Sequence, residues 1–195
     1  MTRASRAGLV GATLLVAGTL LLARSGWARA KGVVGEALIG RALDATLVDG
    51  RPRRPWSWAD MHPIARLEVP RLHVERAILS NATGSALAFG VGHIEGTAAP
   101  GAPGNCALAG HRDAWAEFLK DLRPGDAIVV TIPRGRIRYV AVSSTVVRFD
   151  DGRVLEPTED ERLTLVTCWP FRGWLRSPWR YVVRCDRRDA VIPSL

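Results

Sequence analysis

The hydrophobic positions of the chain fall into two regimes. Residues 7–23 form an unbroken apolar run that includes Leu9, Val10, Leu14, Leu15, Val16, Leu20, Leu21 and Leu22, with no charge inside it. The run is apolar on every face, unlike the one-sided stripe of a soluble surface helix. At about 1.5 Å per residue a helix over it spans about 25 Å, the short end of what crosses a bilayer. Residues 33–47 mix apolar and polar positions and suit a further helix, which Pro52 and Pro55 end. From Ile64 onward the period drops to two. Residues 64–69 alternate and stop at Pro70, and residues 73–79 alternate likewise. Residues 86–91 and 106–110 are short apolar runs. Residues 126–132 and 136–147 flank a turn at 133–135, and 163–167 and 181–183 are two more β-rich runs. Residues 92–104, rich in Gly and Pro, read as a loop, and 114–122 as a short helix closed by Pro124-Gly125. Many short strands with few helices predict a mainly β domain, a small closed barrel or a sandwich.

This pattern divides the chain into residues 1–30, a cytoplasmic stub and transmembrane signal anchor; 31–60, a partly helical spacer; and 61–195, the β domain. Arg3 and Arg6 precede the apolar run and hold the N-terminus inside. The alternative is a cleaved signal peptide with Ala28-Arg29-Ala30 as a small-x-small site. That site lies beyond Arg24, an awkward distance from the run, which favours the anchor. Either reading exports the remainder, giving a single-pass protein of the cell membrane with its β domain on the extracytoplasmic side. Trp56 and Trp58 suit a lipid interface or packing against the domain equally well.

Composition narrows the function classes. The formal net charge of +8 permits nucleic acid, anionic lipid or an acidic wall polymer as partner. The arginines are scattered among Trp, Pro and strand-like runs, with no zinc-finger spacing, RNP-like run or basic helix, so no nucleic-acid partner is expected. The three cysteines, Cys106, Cys168 and Cys185, form no C-x-x-C pair, which argues against zinc ribbons and thioredoxin-type motifs. No cofactor is expected.

Three short segments carry candidate chemistry. Leu163-Thr164-Leu165-Val166-Thr167-Cys168 ends a strand before Pro170, so the thiol stands at a strand end, accessible to substrate. Ala109-Gly110-His111-Arg112-Asp113 puts an imidazole where an apolar run meets a polar turn. Trp179-Arg180-Tyr181-Val182-Val183 places an arginine at a strand start, where it can hydrogen-bond a developing oxyanion. Each feature alone has an ordinary structural explanation: a buried small apolar Cys, a turn His, a surface Arg. Together they suit acyl transfer, with a thiolate nucleophile, an imidazole for the amine proton and a guanidinium for negative charge. His62, His73 and His93 are competing histidines.

In these residues the chain resembles the sortase family of cysteine transpeptidases. Thr164-Leu165-Val166-Thr167-Cys168 resembles the family's Thr-Leu-x-Thr-Cys signature, and the continuation Trp169-Pro170-Phe171 is similar to class D-like forms. Residues 109–113 resemble the histidine motif, and 179–183 the arginine strand, in the expected order over residues 64–184. The details are similar to sortases of Gram-negative proteobacteria. The resemblance implies an eight-stranded β-barrel, with short helices and an N-terminal membrane helix. It implies cleavage of a Leu-Pro-x-Thr-Gly-like signal between Thr and Gly, through a thioacyl-enzyme passed on to an amine. Cys168 would then be the nucleophile, His111 the general acid/base and Arg180 the oxyanion-binding arginine, with Thr167 and Trp169 as substrate-binding neighbours. Asp113 either orients His111 or caps the following helix, and the cap is the favoured reading. The implied partners are a substrate protein with a C-terminal sorting signal, an amine acceptor and the membrane. Two rivals stay open: an exported hydrolytic cysteine peptidase with the same three groups, and a non-catalytic membrane-tethered β-barrel. Cys106 and Cys185 have no part in the scheme, and a disulfide between them is open.

Overall fold

The computed structural model describes residues 3–173 and 177–188, with the side chains of residues 3–14 and 28–29 left out of the description. A single helix, α1, runs over Arg3–Asp49. It ends where Gly50 takes φ +72° and donates its N–H to the Thr46 carbonyl at 2.8 Å; Pro52 follows. A left-handed glycine just beyond the last turn is a common helix stop, because only Gly adopts that conformation without strain. Two compact units divide the chain, with their boundary between Ala37 and Leu38.

In the first unit Leu15, Val16, Leu20, Leu21, Leu22, Trp27, Val33 and Val34 are exposed. Among the described residues no helix is long and apolar enough to cross a membrane. The side chains of residues 7–14, the first half of the expected anchor, lie outside the described residues.

The second unit contains the end of α1 and the β domain. Ile39, Ala42, Leu43 and Thr46 are buried, at the i, i+3, i+4, i+7 spacing of one helix face. Ile39 joins a small cluster with Ala59, Met61, Leu79 and Ala86. Trp56 packs against that cluster, its ring 5.2 Å from that of Phe89 in an edge-on contact, whereas Trp58 is 82% exposed.

Eight strands follow: β1 (Pro63–Val69), β2 (Val74–Leu79), β3 (Val91–His93), β4 (Asn105–Ala109), β5 (Ala127–Ile132), β6 (Gly135–Arg148), β7 (Arg162–Trp169) and β8 (Trp179–Arg187). They close into a barrel in the order β1-β2-β3-β4-β7-β8-β6-β5. The alternating pattern anticipates a mainly β domain, and the family resemblance anticipates the eight-stranded barrel observed. The β2/β3 and β4/β7 pairs are parallel; the others are antiparallel. Alternation supplies the core: Ala65, Leu67 and Val69 of β1, Ile128 and Val130 of β5 and Leu163 and Leu165 of β7 all point inward.

Two local expectations shift. The apolar run at 86–91 splits between a short helix, α2 (Gly84–Leu87), and β3, which extends two residues into the expected loop. Gly92 allows this: a Cβ there would lie 2.4 Å from the Asn81 carbonyl oxygen, so only glycine brings the two segments together. The expected helix at 114–122 reduces to a 3-10 turn over Glu117–Asp121. Ala116 stands at its N-cap with no side-chain hydrogen bond, so Asp113 is not the cap expected from sequence.

One ion pair, buried on its acidic side, ties the β1–β2 turn to the start of β5. Asp126, 8% exposed, accepts from Arg71 on both carboxylate oxygens and from the Arg123 N–H at 2.7 Å. The Arg71 hydrogen bond holds its carboxyl below the usual carboxylate range. A depressed acid contributes stability above its unfolded value, near pH 4, and loses it as pH falls through the folded value. Asp126→Asn should therefore lower the Tm at pH 7 and flatten its fall below about pH 4. Thermal melts of both proteins from pH 2 to 7 check this; parallel curves would show that the pair contributes nothing.

Candidate active site

The site is built on three adjacent strands, with β7 between its parallel neighbour β4 and its antiparallel neighbour β8. Their registers place residues in rows. Cys106, Leu163 and Cys185 form one row and Leu108, Leu165 and Val183 another, and both rows belong to the core. The rows between them face the other way: Ala107, Thr164 and Arg184, then Ala109, Val166 and Val182. Because strand side chains alternate, Cys168 belongs to this second, outward set.

Arg180 is the direct cross-strand partner of Cys168. Opposed residues of an antiparallel pair have Cβ atoms about 5 Å apart on the same face. The guanidinium is braced: one terminal nitrogen donates to the carbonyls of Ser177 and Trp179, each at 3.0 Å, and its carbon lies 5.9 Å from the centre of the Phe149 ring. Phe149 is itself fixed by its N–H donating to the Pro178 carbonyl at 2.7 Å. An arginine carries five N–H donors, and the two carbonyls engage one of its nitrogens.

His111 arrives from the other side. The β4/β7 ladder continues one residue past β4, where the Gly110 N–H donates to the Val166 carbonyl at 3.2 Å. The Thr167 hydroxyl donates to the Gly110 carbonyl at 2.7 Å. His111 is the next residue, two beyond the end of β4. There the chain turns, the His111 carbonyl accepting from the N–H groups of Ala114 and Ala116. The turn folds over Gly110 so closely that a Cβ there would meet the Ala116 Cβ at 2.8 Å. The imidazole is exposed.

The structure thus sets Cys168 and Arg180 opposite each other on β7 and β8, and puts His111 two residues beyond the end of β4, one past the Gly110 carbonyl that Thr167 holds. Thr167 and Trp169, the two expected substrate-binding neighbours, lie on the opposite face from Cys168. Thr167 is 2% exposed with its hydroxyl committed to Gly110, which makes it a tether. Trp169 stacks on Tyr181 with centroids 5.7 Å apart and meets Phe171 edge-on. His93 bonds through Nε2 to the Ala98 carbonyl and the Thr97 hydroxyl and serves the loop after β3.

Several contributing residues escape a sequence reading. Asn105 accepts from the Thr164 hydroxyl at 2.6 Å and donates to the carbonyls of Val154 and Glu156, pinning the β6–β7 connection to the outward face. Arg112 donates to the carbonyls of Pro170 at 2.8 Å and Gly173 at 2.6 Å, just past the nucleophile candidate. The only sequence signal for Arg112 is its place beside His111.

The three thiols are free. Cys106 and Cys185 flank Leu163 on opposite sides, two strand spacings or about 10 Å apart, beyond the reach of a disulfide. Burial pushes each of these thiols up to about 12. Cys168 alone is half-buried. Among the described residues no group of three or more His, Cys, Asp or Glu side chains is placed to hold a metal ion.

A half-buried thiol thus lies opposite a braced guanidinium, with an exposed imidazole on the segment tethered beside it. The sortase domain family model matches residues 67–188, and the chain belongs to the sortase family. It is 31% identical over 118 residues to sortase D of Bacillus subtilis, an alignment spanning 60% of each protein. The barrel is similar to that of a sortase D5 transpeptidase from Clostridium perfringens, with TM-score 0.66 and 22% identity over 80% of this chain and 99% of that one. It is also similar to sortase C-1 of Actinomyces oris, with TM-score 0.61 and 29% identity over 67% of this chain and 77% of that one. The Bacillus subtilis relative supports class D, and none of the three bears on the expected likeness to Gram-negative proteobacterial sortases.

Selective labelling checks the thiol assignment. Brief iodoacetamide treatment of the folded protein should modify Cys168 and spare Cys106 and Cys185, since only thiolates react and burial disfavours them. Labelling of all three at similar rates would contradict the burial described.

Proposed function

We propose that the chain is a sortase transpeptidase acting on a Leu-Pro-x-Thr-Gly-like C-terminal signal of a substrate protein. The Cys168 thiolate attacks the Thr carbonyl carbon, forming a C–S bond and an oxyanion that Arg180 stabilises with N–H donors. Collapse breaks the Thr–Gly C–N bond as His111 gives a proton to the leaving Gly amine. An incoming amine then attacks the thioester and loses a proton to His111. A new C–N bond forms and the thiolate leaves.

The observation that carries this reading is the direct opposition of Cys168 and Arg180 across β7 and β8, with Gly110 held to Thr167 one residue before His111. Family membership supports the reaction class. The N-terminal helix is proposed as an uncleaved membrane anchor that leaves the β domain on the extracytoplasmic side. This is supported by the uncharged apolar run at 7–23 and the exposure of its described leucines.

The test uses a fluorogenic Leu-Pro-x-Thr-Gly peptide series with and without an added amine. Cys168→Ala should abolish cleavage, and His111→Ala and Arg180→Ala should each lower kcat/KM by about 10² or more. The added amine should appear in the product. A Cys168→Ala protein cleaving at the wild-type rate would refute the mechanism, and water-only products with amine in excess would make the chain a hydrolase.

A further inference from the structure

We propose that Arg112 is a positioning residue of the cleft, fastening the β7–β8 connection to the His111 turn and so setting how His111 and Cys168 face each other. The inference rests on the sortase reading above and assigns a role to a residue outside the Cys-His-Arg set.

The two segments that carry His111 and Cys168 are stitched together twice. Before the pair, the Thr167 hydroxyl reaches the Gly110 carbonyl at 2.7 Å. Beyond it, Arg112 reaches the Pro170 carbonyl at 2.8 Å and the Gly173 carbonyl at 2.6 Å. His111 lies between Gly110 and Arg112, and Cys168 lies between Thr167 and Pro170, so the two stitches bracket both reacting groups. Among the described residues no backbone hydrogen bond joins 111–116 to 168–173. Downstream of the ladder the described links between these segments therefore come from the Arg112 side chain.

The chemistry of the link favours arginine. A planar guanidinium presents parallel N–H groups and bridges two carbonyls at once, whereas a lysine ammonium is a single point on a flexible stem. Hydrogen bonds with a charged donor are stronger than neutral ones, which suits a tether that crosses a turn exposed to solvent. Gly173 sits close enough that a Cβ there would lie 3.9 Å from both terminal nitrogens of Arg112, so the connection runs directly against the guanidinium. Acyl transfer needs imidazole and sulfur in a fixed relation, and a displacement of about 1 Å costs about 10²-fold in rate.

The experiment compares the full-length chain in detergent with Arg112→Gln and Arg112→Lys. Three readouts are taken: kcat and KM on the Leu-Pro-x-Thr-Gly peptide series, the pH profile of Cys168 alkylation by iodoacetamide, and amide exchange over 169–173. Arg112→Gln should raise exchange over 169–173, change the alkylation profile and lower kcat by about tenfold or more, with KM less affected. Arg112→Lys should fall between Arg112→Gln and wild type. If Arg112→Gln lowers only the Tm and leaves kcat and the alkylation profile unchanged, Arg112 is merely structural and the proposal is overturned. Failure of the underlying reading looks different: the wild-type protein itself cleaves no peptide of the series, and the positioning role falls with it.

Discussion

The register of β7 against its two neighbours is the constraint on which the site depends. In a barrel wall a slip of one residue turns every side chain to the other face. A slip of β7 would put Cys168 into the core and bring a core leucine to the surface. The register is held by packing: the inward rows of Cys106, Leu163 and Cys185 and of Leu108, Leu165 and Val183 fill the barrel, and the outward row at its end holds Cys168 and Arg180. The two buried cysteines thus contribute as small apolar residues. Their thiols sit in the rows that keep the third thiol outside.

Fastening at the strand ends completes what the ladder begins. Among the described residues no ladder continues past Gly110 and Trp169, and side chains take over. The Thr167 hydroxyl, the Arg112 fork, the Arg180 bonds to Ser177 and Trp179 and the Asn105 bonds to Val154 and Glu156 all end on backbone carbonyls. Carbonyls in irregular segments lack ladder partners, and side-chain donors are the available way to satisfy them. The aromatic group of Trp169, Phe171 and Tyr181 seals the inward side at the same level.

Much of this architecture is legible in the sequence because it is periodic. Residues 64–69 and 73–79 alternate in sequence, 126–132 and 136–147 are β-rich runs around a turn, and Pro70 and Pro133 mark stops. The Cys, His and Arg motifs stand out because each ends or begins a strand. What is not legible depends on contacts far apart in sequence. Gly92 is read as loop composition, yet it permits a close crossing beside Asn81 that makes β3 a strand. Asp113 has the composition of a cap, but the turn tightens into a 3-10 segment that begins later. Thr167 stands beside the nucleophile in the motif, and only the alternation of β7 shows that it points inward. Arg112 and Asn105 make bonds across roughly fifty to sixty residues of chain, which no local pattern announces.

The central claim is that sulfur, imidazole and guanidinium act on one peptide bond. Intact-protein mass spectrometry of the full-length chain mixed with a sorting-signal peptide, quenched in acid within a turnover, tests it most directly. The account predicts a mass increase equal to the acyl portion up to Thr, mapped to the fragment containing Cys168 and discharged on adding an amine. Peptide cleavage with no adduct on Cys168, or an adduct on another residue, would contradict it.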